Sequence, residues 1–186
     1  MRFIRTYSNS YVFEERYRKA PGKNRLTVTC HGASDWNGIP QVRIGGQYFS
    51  PAQLSQHIRT WTKLADLYSI RLISCDSATP RLDEGDLVMT PDLLKQPPWS
   101  TSFGSQLSLF LPGIFVRVYL GTVASNYAPD FIVSFCREEG REATEEALSE
   151  YFRIFKDDSG EHYHCVIFLN GRFYKQRYNP NVPLEF

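Results

Sequence analysis

Apolar residues recur along this chain in short blocks, separated by polar segments that favour turns. Arg25-Leu26-Thr27-Val28-Thr29-Cys30 alternates and is rich in β-branched residues, which predicts a strand. His31-Gly32-Ala33-Ser34-Asp35 follows as a polar, glycine-containing loop. Val42 to Phe49 carries Gly45-Gly46 between apolar arms, a hairpin signal. Ser50-Pro51-Ala52-Gln53 predicts a helix start: Ser50 caps, Pro51 suits the first turn, and Gln53 completes a capping box. Leu54, Ile58, Trp61 and Ala65 then repeat at helical spacing, which carries the expected helix to about Tyr68. Ile70-Arg71-Leu72-Ile73-Ser74-Cys75 reads as a second, buried strand. Residues 76–101, rich in Pro, Asp, Thr and Ser, predict a long loop with one turn at Asp92-Leu93-Leu94. Loops of that length in compact domains usually serve function. Ser102–Leu111 predicts a second helix, stopped by Pro112-Gly113, and Ile114–Leu120 a third strand.

The last third predicts a strand at Phe131–Cys136 and a helix at Arg141–Phe155 with acids near its start. A turn at Asp157-Asp158-Ser159-Gly160 and a hairpin around Asn170-Gly171, within Val166–Tyr174, complete the pattern. Strands alternating with helices imply parallel pairing, because a parallel pair needs a crossover. The expected class is α/β: a mostly parallel sheet with helices on both faces, plus a C-terminal β-hairpin flap. One domain spans 1–186, with its core at about 24–136 and the C-terminal helix and hairpin at 141–180. A chain of 186 residues is long enough to bury roughly 70% of its unfolded surface.

Composition narrows the function classes. Hydrophobic residues at 42% and charged residues at 22% exclude disordered and collagen-like readings. Lys+Arg 21 against Asp+Glu 20 leaves a net charge of +1, which argues against a nucleic-acid partner held by bulk positive charge. No run reaches the roughly 20 apolar residues of a membrane helix, so no membrane span is expected. The start, Met1-Arg2-Phe3-Ile4-Arg5, lacks the apolar stretch of a signal peptide. Cys30, Cys75, Cys136 and Cys165 are widely spaced and read as thiols of a reducing compartment. The expected compartment is the cytoplasm, and a bacterial effector exported into a host cytosol by a dedicated secretion system would carry the same pattern. Composition leaves the oligomeric state open.

Two predicted strands end in reactive groups: the first delivers His31-Gly32, the second Cys75. Parallel neighbours would present both at one carboxyl edge, where α/β folds place their ligands. A thiol with a reference pKa near ~8.5 is mostly protonated at neutral pH, and an adjacent imidazole activates it. Gly32 would let backbone approach a substrate, and its N–H would help hold an oxyanion. A single cysteine at a strand end is most often a core thiol; the pairing with His-Gly sets this one apart. Asp35 and Asp76 flank the pair and would line a pocket for a basic side chain or orient the dyad. Trp36 and Trp99 would wall a substrate pocket. His162-x-His164 puts two imidazoles on one strand face, but a metal needs three or four converging ligands, so no metal is expected. His57 sits mid-helix as a boundary residue.

Leu26-Thr27-Val28-Thr29-Cys30-His31-Gly32 and Ile70-Arg71-Leu72-Ile73-Ser74-Cys75 resemble the two signature blocks of caspase-like (clan CD) cysteine peptidases. Within that clan the chain is most similar to the cysteine protease domains of large clostridial glucosylating and multifunctional autoprocessing toxins. At motif level the resemblance covers roughly residues 24 to 122. It implies Cys75 as nucleophile, His31 as base or orienting group, and the N–H groups of Gly32 and Cys75 as oxyanion donors. It further implies a protein or peptide substrate and a small secreted bacterial effector. Inositol hexakisphosphate would act as activator, bound by Arg153, Lys156, Arg172, Lys175 and Arg177. Ile73-Ser74-Cys75-Asp76-Ser77 departs from the caspase Gln-Ala-Cys-x-Gly, which argues against caspase-like aspartate specificity. Two alternatives stand beside the peptidase: a Cys–His acyl transferase or ligase, and a non-catalytic α/β interaction module or pseudoenzyme.

Overall fold

The computed structural model describes residues 1–34, 38–80, 98–155 and 164–177, with backbone only at positions 155, 164 and 177. A hairpin of β1 (Arg2–Tyr7) and β2 (Ser10–Arg16) opens the chain, and β2 pairs antiparallel with β3 (Asn24–Thr29). A separate antiparallel sheet holds β4 (His31–Ser34), β5 (Pro40–Ile44) and β6 (Gln47–Phe49). Helix α1 (Pro51–Trp61) leads through a 3-10 turn at Leu64–Asp66 to β7 (Leu67–Ile73), which lies parallel to β3. Helix α2 (Phe103–Leu109) leads to β8 (Phe115–Leu120), parallel to β7. Next come β9 (Ala124–Ser125), α3 (Pro129–Glu138), α4 (Gly140–Tyr151) and β10 (Ile154–Phe155), with β9 and β10 paired. The hairpin β11 (His164–Leu169) and β12 (Arg172–Arg177) docks antiparallel on β8.

The main sheet therefore runs β1-β2-β3-β7-β8-β11-β12. The α/β class and helices on both faces are as expected. Parallel pairing is confined to the central trio β3-β7-β8, and the C-terminal hairpin completes one side of this mixed sheet. Alternation along the strands separates two cores. Val12, Leu26, Val28, Ile70, Leu72, Val116 and Val118 pack under α1 and α2. Phe3, Tyr11 and Phe13 pack under Ile132 of α3 and Leu148 of α4 on the opposite face.

Four local expectations are corrected. Helix α4 ends at Tyr151 rather than Phe155, because Ile154–Phe155 pairs with β9 as β10. Residues 31–34 form strand β4 rather than a loop, because β5 supplies a ladder that isolated propensity does not show. Helix α1 stops at Trp61, well short of Tyr68. Thr62 there turns to extended backbone (φ −155°, ψ 158°), and its hydroxyl donates to Glu14 Oε1 at 3.1 Å, which frees Leu67 and Tyr68 for β7. The segment Phe131–Cys136 is helical. Its aromatic and β-branched residues favour a strand, but Pro129 starts a helix and Ile132 is the residue buried. Phe131 and Phe135 stack one helical turn apart at 5.6 Å. Among the described residues, no helix is long and apolar enough to cross a membrane.

Candidate active site

The β3–β7 register places Thr29 opposite Ile73, and the ladder ends with the Cys30 N–H donating to the Ile73 carbonyl at 3.0 Å. The next residues on each strand, His31-Gly32 and Ser74-Cys75, leave the sheet side by side at its carboxyl edge. They come into backbone contact. A Cβ on Gly32 would lie 2.0 Å from the Cys75 carbonyl oxygen and 3.3 Å from Ser74 Oγ, so only glycine fits.

Cys75 opens a tight turn. Asp76 takes a left-handed conformation (φ 53°), which Asp tolerates better than most residues. Its N–H donates to the Gly121 carbonyl at 2.8 Å, and its carbonyl accepts from the Thr79 N–H at 3.0 Å. Buried Ser77 staples the turn to the fold: its hydroxyl donates to the Ser74 carbonyl at 2.7 Å and accepts from the Tyr119 N–H at 3.1 Å. The Ser77 carbonyl accepts from the Gly104 N–H of α2 at 2.9 Å. In some hydrolase folds, strained turns at strand ends present the nucleophile. None of the backbone hydrogen bonds in this turn uses the Cys75 N–H.

Cys75 is half-buried, and its thiol points at the Val123 carbonyl oxygen, 3.6 Å away. His31 is exposed on β4, opposite Arg43 of β5. Among the described residues no hydrogen bond joins the imidazole to the thiol. The neighbouring Cys30 is buried, and burial pushes its thiol up to about 12, offset in part by the Ser74 side chain. Cys30 therefore stays protonated at neutral pH, leaving Cys75 as the accessible sulfur of this edge.

Beside Gly32 and the Cys75 turn lies a groove of about 300 Å³, walled by Gly32, Ala33, Ser34, Pro40, Asp76 and Thr79. Asp76 is one of the lining residues. Asp35 and Trp36 lie outside the described residues. Trp99 goes elsewhere: it stacks on Phe173 at 5.6 Å and packs edge-on against Phe168. His57 packs edge-on against Phe49 at 4.6 Å, as a boundary residue does. His162 lies outside the described residues, and among those described no cluster of three metal-ligating side chains occurs.

A second charged feature lies at the opposite, amino end of the central strands. Tyr17, Tyr68, Phe115 and Tyr174 form a row with centroid separations of 4.6, 5.1 and 4.9 Å. Next to it is a cleft of about 110 Å³ with Lys19, Arg117 and Lys175 in its walls. Arg25 and Arg71 share the single carboxylate of Glu15, at 3.5 and 2.9 Å. Arg25 binds its proton less tightly than usual, first through burial and then through the like charges of Arg71 and Arg117. Among the described residues Arg117 has no carboxylate partner. Of the five cations expected to bind a polyphosphate, Lys175 is in this cleft. Arg153 donates to the Glu150 and Phe152 carbonyls, Arg172 lies on the exposed hairpin surface, Lys156 is outside the described residues, and Arg177 is placed by backbone alone. Lys19 belongs to the basic N-terminal segment that the sequence offers for such a site, and the sequence reading missed Arg117. The signal for Arg117 was present: an arginine interrupts the buried run Val116-Arg117-Val118, as Arg71 interrupts Ile70-Arg71-Leu72.

No family model, curated protein or solved structure matches the chain.

Proposed function

We propose that the chain is a caspase-like cysteine endopeptidase acting on protein or peptide substrates. One juxtaposition carries the reading: neighbouring parallel strands bring His31-Gly32 and Cys75 to one edge, in backbone contact that only glycine permits. In this reading the Cys75 thiol leaves Val123 by rotation about its Cα–Cβ bond and gives its proton to His31. Catalytic hydrogen bonds commonly tighten only with substrate bound. The sulfur forms a bond to the substrate carbonyl carbon, and the N–H groups of Gly32 and Cys75 hold the resulting oxyanion. The C–N bond breaks as the imidazolium protonates the departing amine. Water then hydrolyses the thioester, with His31 accepting its proton, which releases the acid and restores the thiol.

The test is alkylation followed by cleavage. Cys75 should react with iodoacetamide at neutral pH at least about tenfold faster than buried Cys30, whose thiol stays protonated. His31→Ala should slow that reaction, and Cys75→Ala should fold yet cleave nothing in a peptide library. Full cleavage by Cys75→Ala overturns the assignment.

The aromatic-walled basic cleft supports inositol hexakisphosphate as an activator, held by Lys19, Arg117 and Lys175 at the end of the sheet remote from Cys75. With that activator the peptidase would work as a small bacterial effector in a host cytosol. A second reading, a non-catalytic interaction module, is favoured by the thiol's resting contact with Val123 rather than with an imidazole. Alkylation of Cys75 no faster than that of Cys136 would select it.

A further inference from the structure

The groove beside the Cys75 turn has an unusual lining for a peptidase pocket. Its described walls are small residues, Gly32, Ala33, Ser34, Pro40 and Thr79, with Asp76 as the one ionisable side chain. No aromatic or branched aliphatic residue among them offers the apolar surface that a leucine or phenylalanine side chain would seek. Among the described walls no cation accompanies this carboxylate, and a carboxylate repels an acidic side chain and attracts a basic one.

Asp76 is also aimed. It directly follows Cys75, its backbone is held in the left-handed region by the Gly121 and Thr79 hydrogen bonds, and its Oδ1 accepts from Thr79 Oγ1 at 2.9 Å. One carboxylate oxygen is thereby fixed on the groove wall, and among the described residues the other has no hydrogen-bond partner. A groove of about 300 Å³ has room for one long side chain. Gly32 lines the same groove while its backbone lies against that of Cys75, so the groove opens beside the residue that bears the sulfur.

We propose that this groove takes a lysine or arginine side chain, on the substrate residue whose carbonyl Cys75 attacks, and that Asp76 selects it. The inference rests on the peptidase reading. Its substrates are then basic segments of proteins, cut on the carboxyl side of the basic residue. Asp76 is a specificity residue, distinct from the groups that move protons.

The experiment uses the full chain and a set of tripeptidyl acyloxymethyl ketones, identical except for Arg, Lys, Leu or Asp at the terminal residue. Labelling forms a bond from the Cys75 sulfur to the ketone α-carbon and expels the carboxylate, and mass mapping reads it at each cysteine. The Arg and Lys probes should label Cys75 about tenfold faster than the Leu and Asp probes, or more, as expected for a charge-assisted contact in a selective pocket. Asp76→Asn keeps a residue that tolerates the left-handed turn and can still accept from Thr79. It should shrink the Arg-to-Leu ratio to within about threefold. Asp76→Lys should turn the preference toward the Asp probe. Equal labelling of the wild type by all four probes, or preference for Leu or Asp, overturns the basic-residue inference and leaves the peptidase standing. If no probe labels Cys75 faster than Cys136, the peptidase reading fails and takes the inference with it.

Discussion

Gly32 has room for nothing larger than a hydrogen, since a methyl there would lie 2.0 Å from the Cys75 carbonyl oxygen. The obstacle is backbone, which cannot swing aside as a side-chain tip can. Gly32→Ala must therefore push β4 off the Cys75 turn. Overpacking of this kind costs about 1–3 kcal/mol, which in a domain of this size lowers the melting temperature by roughly 2–12 °C. We expect that loss in a thermal melt, with Cys75 alkylation slowed alongside it. An unchanged melt and an unchanged rate would mean the two strands are not in contact. The same residues were prominent in the sequence: His-Gly and a Cys after apolar blocks mark a pair of reactive groups. Invisible there was the thiol's resting partner, the Val123 carbonyl 48 positions further along the chain.

At the level of elements, the Cys75 turn is held by β8 and α2 more than by its own residues. Ser77 links the turn to both, through the Tyr119 N–H of β8 and the Gly104 N–H of α2, and closes back on the Ser74 carbonyl. Gly104 lets α2 approach, since a Cβ there would lie 2.4 Å from Val118 Cγ2. Ser77→Ala withdraws a buried hydroxyl that serves both a carbonyl and an amide, a loss of about 1–3 kcal/mol. The melting temperature should drop by several degrees, and Cys75 alkylation should slow although the thiol itself is untouched. Alkylation at the wild-type rate would show that the turn stands without its staple. Elements with strong local signals were legible beforehand: β3, β5–β6, α2, β8 and the Asn170-Gly171 hairpin. The misread ones, β4 and α3, owe their state to a partner strand and to a buried face, respectively.

Across the whole molecule, the sheet carries two features at opposite ends: the sulfur edge at the carboxyl ends of β3 and β7, and the basic cleft at the amino ends of β7 and β8. A ligand joining Lys19, Arg117 and Lys175 ties the N-terminal segment, the central sheet and the last hairpin together. Adding inositol hexakisphosphate should raise the melting temperature, less so at high salt because screening weakens such contacts. It should also speed Cys75 alkylation, and Lys19→Gln with Lys175→Gln should abolish both effects. No shift and no change in rate would overturn the proposed activator site. The sequence by itself determined the α/β class, the crossover helices and the two chemical blocks, because alternation, caps and turn residues act over a few positions. Only the tertiary structure decided that the first sixteen residues form a sheet hairpin, that Lys19 and Arg117 share a cleft, and that Asp76 faces a groove. Those facts depend on strand order and register, which join residues far apart in the chain and leave no local mark.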